Sequence, residues 1–417
     1  MRCERRTLTG DPAALTAELR GLVPGASSVA ETVVEIVLRV RHGGEEALEH
    51  FRRELDAGGR DPGPLRVARE EIEAALAAVE PDVLAALKLA ADNVRAVAEA
   101  GLDAEREATL PQGQRVTLRE VPVARAAVYV PGGRAPYPST VVMGAVTARA
   151  AGVREVVVCT PSESPLVLAA CALAGVEEVY RMGGAHAIAA LAHGTETIRP
   201  VDVIVGPGNL YVQEAKLVVR GEVGIDGFAG PSDLLVLLDG DADPRLAALD
   251  LRAQAEHGAD SLVVAVSPDE ALLDALSPAL DPAPETGVGV LVQAPDLEAA
   301  LAFAEVFAPE HLQLIGPAAE ALAPRVTRAG CLFVGAGAAT AFGDYVAGSN
   351  HVLPTDGAAR FASGLSARTF RRRMAEVRIP PAAAAALAPA GAALARAEGF
   401  EAHAASMQAR IRENGER

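Results

Sequence analysis

The spacing of apolar residues divides the chain into stretches of different texture. Over residues 28–57 and 68–100, apolar positions recur every three to four residues, the period of amphipathic helices, with the loop DAGGRDPGP between them. PDVLAALKLAADNVRAVAEA, residues 81–100, reads as one long helix, and residues 114–121 read as a strand. From residue 125, short β-rich runs (RAAVYV, REVVVCT, VEEVYRM, VDVIVG) alternate with Ala-rich helical segments (STVVMGAVTARAAG, SPLVLAACALAG, AHAIAALAHG). This alternation predicts a parallel sheet with helices on its faces. A second series follows, with DLLVLLD, SLVVAVS, VGVLVQ, LQLIG and GCLFVG as strands and helices at 244–257, 268–276, 295–308 and 317–329. Residues 366–417 open with SARTFRRRM, show no strand series, and read as a helical tail that needs a partner surface. The expected fold is α/β: two doubly wound, Rossmann-like, mostly parallel sheet units with N-terminal helices and a helical C-terminal tail. The segments fall at 1–121 (helical, packing on an α/β unit), 122–232 (first α/β unit), 233–365 (second α/β unit) and 366–417 (tail).

Half of the residues are hydrophobic but only 3% are aromatic and Trp is absent, so the cores must be built from Val, Leu, Ile and Ala. A formal net charge of −17 argues against a nucleic-acid or anionic-membrane binder, both of which want a basic face. Cys3, Cys159, Cys171 and Cys331 form no CxxC pair, so neither a disulfide framework nor a thiolate metal site is expected. Cys159 and Cys331 sit in apolar runs and read as buried thiols. The N-terminal residues MRCERRTLTGDP have no apolar signal core, and IPPAAAAALAPAGAALA is too broken by Pro and Gly to span a membrane. A soluble cytoplasmic protein is the expectation.

In the first series, three strands run into glycine-rich loops: VYVPGG (Gly132, Gly133), YRMGG (Gly183, Gly184) and IVGPGN (Gly206, Gly208). Open parallel sheets bind ligands beyond the carboxyl ends of their strands, and glycines there let a ligand approach the backbone. None of the loops is a GxGxxG, so each alone reads equally well as a tight turn. GFAGPSD, residues 227–233, is a further Gly/Ser turn between the two units, where a cleft would lie. Among the eight histidines, His42 and His50 have ordinary polar neighbours, and His186 and His193 flank an Ala-rich helix. His257, His311, His351 and His403 stand in polar, glycine-flanked or acid-flanked settings. In LRAQAEHGADS, residues 251–261, Gln254 and His257 share a helix face and Gly258 releases the chain. That is a solvated helix end or a pair of metal ligands; zinc takes His nitrogen and carboxylate oxygen readily, Gln less often. In APEHLQL, Glu310 and His311 reach one pocket only at a turn or strand end, where they could act as two bases on two protons.

VYVPGGRAPYPST, GGAHAIAALAHGTETI, GPGNLYV, GIDGFAGPSD, QAEHGADS, APEHLQL, GDYVAGSNHVLPT, ASGLS and EGFEAH, taken in this order, resemble the histidinol dehydrogenase family. The resemblance spans nearly the whole chain, from about residue 30 to 405. It implies zinc-dependent oxidation of L-histidinol to L-histidine in two steps, through a bound aldehyde, with reduction of two NAD. It also implies intertwined homodimers with shared active sites and one zinc per subunit. The implied zinc ligands are Gln254, His257, Asp344 and His403, and the implied catalytic pair is Glu310 and His311. Ser232, His311, Glu398 and the metal ligands would contact substrate, and Tyr129, His186 and Asn209 would contact the cofactor. The chain departs from the family pattern at His186 (usually Gln), His193 (usually Tyr) and Asp233 (usually Glu), and GAATAFGDY lacks a common Pro. Three of these departures bear on cofactor affinity rather than on zinc chemistry.

A primary alcohol cannot give up hydride without losing its hydroxyl proton, and a neutral imidazole with a pKa of about 6.5 suits that task. His311 is expected to be this base. Glu310 is expected to deprotonate the water that adds to the aldehyde, with His311 serving again. By the resemblance, zinc orients the substrate's imidazole and amine, and Glu398 bonds the other imidazole nitrogen. A related zinc alcohol or polyol dehydrogenase is the leading alternative, but Glu398 would have little purpose there. A zinc hydrolase would leave the loops at 131–133 and 206–209 without a ligand. A non-enzymatic binding protein would make His311 dispensable.

Overall fold

The computed structural model describes residues 2–23, 29–132, 135–227, 230–280 and 287–411; Gly133 of the first glycine loop and Phe228 and Ala229 of GFAGPSD lie outside them. Strand β1 (Arg2–Thr7) opens the chain. Helices Pro12–Arg20, Ala30–Phe51, Arg69–Ala77 and Pro81–Ala100 follow. Next come β2 (Arg106–Thr109) and β3 (Arg115–Pro122). The first α/β series holds β4 (Arg125–Tyr129), β5 (Glu155–Cys159), β6 (Glu178–Tyr180), β7 (Val203–Val205) and β8 (Gly224–Ile225). The second holds β9 (Asp233–Leu238), β10 (Leu262–Ser267), β11 (Val288–Gln293), β12 (His311–Ile315) and β13 (Cys331–Val334). The last strand is β14 (Arg371–Arg378).

These elements form two compact units. The first, Met1–Gly101 with Val123–Phe370, contains two parallel sheets, ordered β6-β5-β4-β7-β8 and β1-β11-β10-β9-β12-β13. Both are wound alike. The chain starts at an interior strand (β4 or β9), steps outward, then returns to the other side of its starting strand, which puts switch points between β4 and β7 and between β9 and β12. Burial on both faces explains the unbroken apolar run of β9: Leu234, Val236 and Leu238 join one core cluster, while Leu235 and Leu237 join another with Phe303 and Phe307. Helices Ala30–Phe51, Gly184–His193 and Leu210–Val219 supply Val33, Val40, Leu48, Ile188, Leu191 and Val212 to the core of the first sheet.

Three local expectations change. The N-terminal residues form β1, paired in parallel with β11 at the sheet edge; their many charges hide the strand pattern. The helix expected over 317–329 is one turn, Pro317–Glu320, followed by a 3₁₀ turn at Ala323–Arg325. The tail is not free of strands. β14 pairs antiparallel with β3, whose other edge takes β2, forming the second unit, Leu102–Pro122 with Arg371–Arg417. Arginines at 371, 372, 373 and 378 mask its pattern, and its partner strand lies far earlier in the chain. Helices Pro381–Ala397 and Glu401–Gln408 complete that unit, around a small cluster of Ala392, Ala395 and Ala404 with Met407. Cys159 and Cys171 are buried, but Cys331 is only partly so. Among the described residues, no helix is long and apolar enough to cross a membrane.

Candidate active site

Ser232 immediately precedes β9 and Glu310 immediately precedes β12, and these strands are neighbours with His311 level with Leu234. Helix Pro244–Ala255 runs back from the far end of β9, so Gln254 in its last turn returns to Ser232. The cluster therefore forms at the amino ends of β9 and β12, whereas the glycine loops of the first sheet follow the carboxyl ends of its strands.

Its hydrogen bonds run in one direction. The Gln254 Nε2 amide donates to Ser232 Oγ, and the Ser232 hydroxyl donates to Glu310 Oε2 at 2.6 Å. The same carboxylate oxygen accepts the Asp233 N–H at 3.0 Å, and Asp233 Oδ1 accepts the Glu310 N–H at 2.7 Å. Burial opposes the charge of Glu310, but neighbouring His311 and these donors outweigh it and hold the carboxyl below its ordinary range. His311 Nδ1 lies 3.6 Å from Glu310 Oε2, an electrostatic pair beyond hydrogen-bond length. Burial alone would lower His311; the charge of Glu310, then Asp344 and Asp233, overcomes it and pushes the imidazole up to about 9. The Glu310 carboxylate therefore favours the protonated imidazole, against burial. Burial also pushes Asp233 up to about 7, against the pull of Arg20 at 3.8 Å.

The direction of this chain leaves one atom over. With its NH₂ turned to Ser232, Gln254 presents an Oε1 that is buried without a hydrogen-bond partner among the described residues, on a residue only 1% exposed. His257 holds Nδ1 3.1 Å from the Gln254 carbonyl oxygen, so Nδ1 carries the hydrogen and Nε2 the lone pair. Asp344, in the last turn of helix Thr340–Tyr345, acts electrostatically on both His311 and His351, and His257 acts on His351, so these groups share one neighbourhood. Among the described residues, no three His, Cys, Asp or Glu side chains form a ready metal cage. An orphan amide oxygen on Gln254, the His257 imidazole three residues on and the Asp344 carboxylate are nevertheless donor types that zinc takes. Glu398 and His403 belong to the second unit, at the end of helix Pro381–Ala397 and within Glu401–Gln408; both are exposed, and the His403 ring lies 5.2 Å from that of Phe400.

Two residues without an expected role also stand here. His351 Nδ1 donates to the Asp344 carbonyl at 3.0 Å, and its Nε2 lies 3.3 Å from the Thr140 hydroxyl. Burial lowers its pKa, and the ring is held between these two partners. The polar setting of His351 was visible in the sequence; Thr140, on a helix of the other sheet, had no local signal.

On the first sheet, Tyr129 ends β4, and its hydroxyl accepts the Gly184 N–H at 3.1 Å. Burial raises its phenol. Gly206 follows β7 with φ +121°, and a Cβ there would strike the Tyr129 carbonyl oxygen. Asp226 accepts the Gly206 N–H at 2.7 Å and pairs with fully buried Lys216 at 2.6 Å, so this loop is held from behind. Asn209 is exposed and caps helix Leu210–Val219 through the Val212 N–H at 3.2 Å. That helix had not been evident in the sequence. The loops after β4, β6 and β7 lie at the carboxyl edge of one sheet, those after β4 and β7 flanking its switch point, the place where open α/β sheets bind ligands. His186 is fully buried and bonds Asp56 at 3.0 Å.

The histidinol dehydrogenase family model matches residues 24–411. A histidinol dehydrogenase of Gluconobacter oxydans is 42% identical over 93% of this chain and 94% of its own length. One of Cereibacter sphaeroides is 45% identical over 92% of each. The crystal structure of histidinol dehydrogenase from Elizabethkingia anophelis superposes with a TM-score of 0.88 at 31% identity, covering 99% of this chain and 98% of that one. With the family model matching residues 24–411 and these relatives covering nearly the whole chain, the chain belongs to the histidinol dehydrogenase family.

Proposed function

We propose that this chain is an NAD-dependent, zinc-holding dehydrogenase that oxidises L-histidinol to L-histidine through an aldehyde kept on the enzyme. The observation that carries this reading is the ordered chain Gln254–Ser232–Glu310 beside His311, with the Gln254 oxygen buried and unpartnered among the described residues. Gln254, His257 and Asp344, with His403 from the tail, would hold the zinc, which when bound supplies a cationic anchor for the substrate's imidazole and amine. The nicotinamide, bound against the loops that carry Tyr129 and Asn209, supplies the hydride acceptor.

His311 takes the hydroxyl proton as the alcohol is oxidised, so it must first be deprotonated; Glu310 sets how readily that happens. Glu310, ionised and steadied by Ser232 and the Asp233 N–H, accepts a proton from the water that adds to the aldehyde. His311 then serves a second time as the hydrated aldehyde is oxidised. Glu398 receives the substrate imidazole's remaining N–H and fixes its tautomer.

The enzyme works as a homodimer whose tails complete the partner's sites. Support comes from the second unit, whose own core is small while Met374, Val377, Leu394 and Phe400 are 45%, 56%, 67% and 53% exposed. Free thiols at Cys159 and Cys171 suit the cytoplasm. The test is a substrate panel. L-histidinol should be oxidised and simple polyols should not, and Glu398→Gln should raise the KM for histidinol about tenfold or more. Equal turnover of a polyol, unaffected by Glu398→Gln, would overturn the substrate assignment.

A further inference from the structure

The segment Arg52–Asp56 is a π-helical turn that continues helix Ala30–Phe51, a feature that recurs at functional sites. It grips the loop after β6 at both ends. Buried Arg52 donates from Nε to the Arg181 carbonyl at 2.7 Å. Asp56 Oδ2 accepts the Gly183 N–H at 3.0 Å. The same oxygen lies 3.0 Å from Nε2 of His186, whose ring stacks on Phe51 with centroids 5.9 Å apart. His186 is 0% exposed, and its Nδ1 is buried with no hydrogen-bond partner among the described residues. One ring nitrogen is committed to Asp56, the other is enclosed, and one face is covered.

We propose that Asp56 and His186 are positioning residues that set the Gly183–Gly184 loop for the dinucleotide, and that His186 does not itself touch the cofactor. The inference rests on the reading that these loops bind the dinucleotide. Asp56 fixes where the Gly183 amide points, and His186 fixes Asp56. Gly184, next in the chain, delivers its N–H to the Tyr129 hydroxyl, so a shift at Gly183 passes directly to the wall formed by Tyr129. Gln at position 186 could also present an N–H to Asp56, whereas Ala could not.

The test uses the full-length dimer and measures NADH affinity by fluorescence titration, amide exchange at Gly183, and the KM for histidinol. Asp56→Ala should speed Gly183 exchange and weaken NADH about tenfold, with the histidinol KM unchanged. His186→Ala should do the same to a smaller extent, and His186→Gln should restore both readouts. Thermal midpoints within a few degrees of the parent, together with the volume-conserving Asp56→Asn as an intermediate case, separate positioning from unfolding. Unchanged Gly183 exchange in Asp56→Ala overturns the proposal, as does faster exchange with unchanged NADH affinity. Asn209→Ala tells which layer has failed. If it weakens NADH while Asp56→Ala does not, the positioning role is wrong; if neither does, the dinucleotide lies elsewhere.

Discussion

Glu310 and His311 are adjacent in the chain and coupled in charge, yet they are assigned different protons. Glu310→Gln should therefore slow oxidation of supplied histidinaldehyde by about a hundredfold or more, the usual scale of a lost general base, and slow the alcohol half far less. His311→Asn should impair both halves. Equal losses on alcohol and aldehyde for Glu310→Gln would remove its role toward water. The same substitution has a consequence for pH. The Glu310 charge is the largest force raising His311 against the opposing effect of burial, so its loss must lower the imidazole's pKa. Activity of the alcohol half requires the deprotonated ring, so its rising limb should move to lower pH in Glu310→Gln than in the parent, measured with the same metal loading. A limb that stays in place or moves up would mean another group is the base.

Loops and strands set where these residues meet. Gly206 needs both a positive φ and the absence of a Cβ beside Tyr129, while Gly221 has the same φ of +121° with nothing near it. Gly206→Ala should cost about 2–4 kcal/mol, and Gly221→Ala only the conformational part, about 1–2 kcal/mol. Denaturant melts of the two variants check this; equal losses would show that the approach to Tyr129 carries no weight. At this scale the sequence was readable where periodicity is local. Strands β4–β7 and β9–β13 follow from short apolar runs punctuated by glycine, and Glu310 was legible because β12 begins directly after it. What was not legible depends on partners distant in sequence. β14 is a strand because β3 accepts it, and arginines that are plainly polar in sequence are its exposed edge. Ser232 became a site residue only by resemblance, since its partner Glu310 lies 78 residues away. His186 reads as a loop-flanking residue until Asp56, 130 residues earlier, is seen to occupy its ring nitrogen.

For the whole molecule, the tail decides whether a site belongs to one chain. A helical hairpin with a small core of its own leaves apolar residues such as Leu394 and Phe400 exposed unless it docks on another surface. If that surface is the partner subunit, His403→Ala and His311→Ala chains should rescue each other. Statistical mixing makes about half of the dimers mixed, each with one intact site and one doubly defective site, so about a quarter of the parent activity should return. Refolding the two variants together, with each alone as control, reads this out. No recovery in confirmed mixed dimers would show that His403 serves its own chain.

A two-step oxidation of one metal-anchored substrate is read out by the amount of NADH formed from limiting L-histidinol, with and without a chelator. Two NADH per histidinol, L-histidine as product, and loss of turnover on chelation with the far-ultraviolet circular dichroism unchanged are expected. One NADH per histidinol with free aldehyde accumulating, or full turnover by chelated protein, would contradict this mechanism.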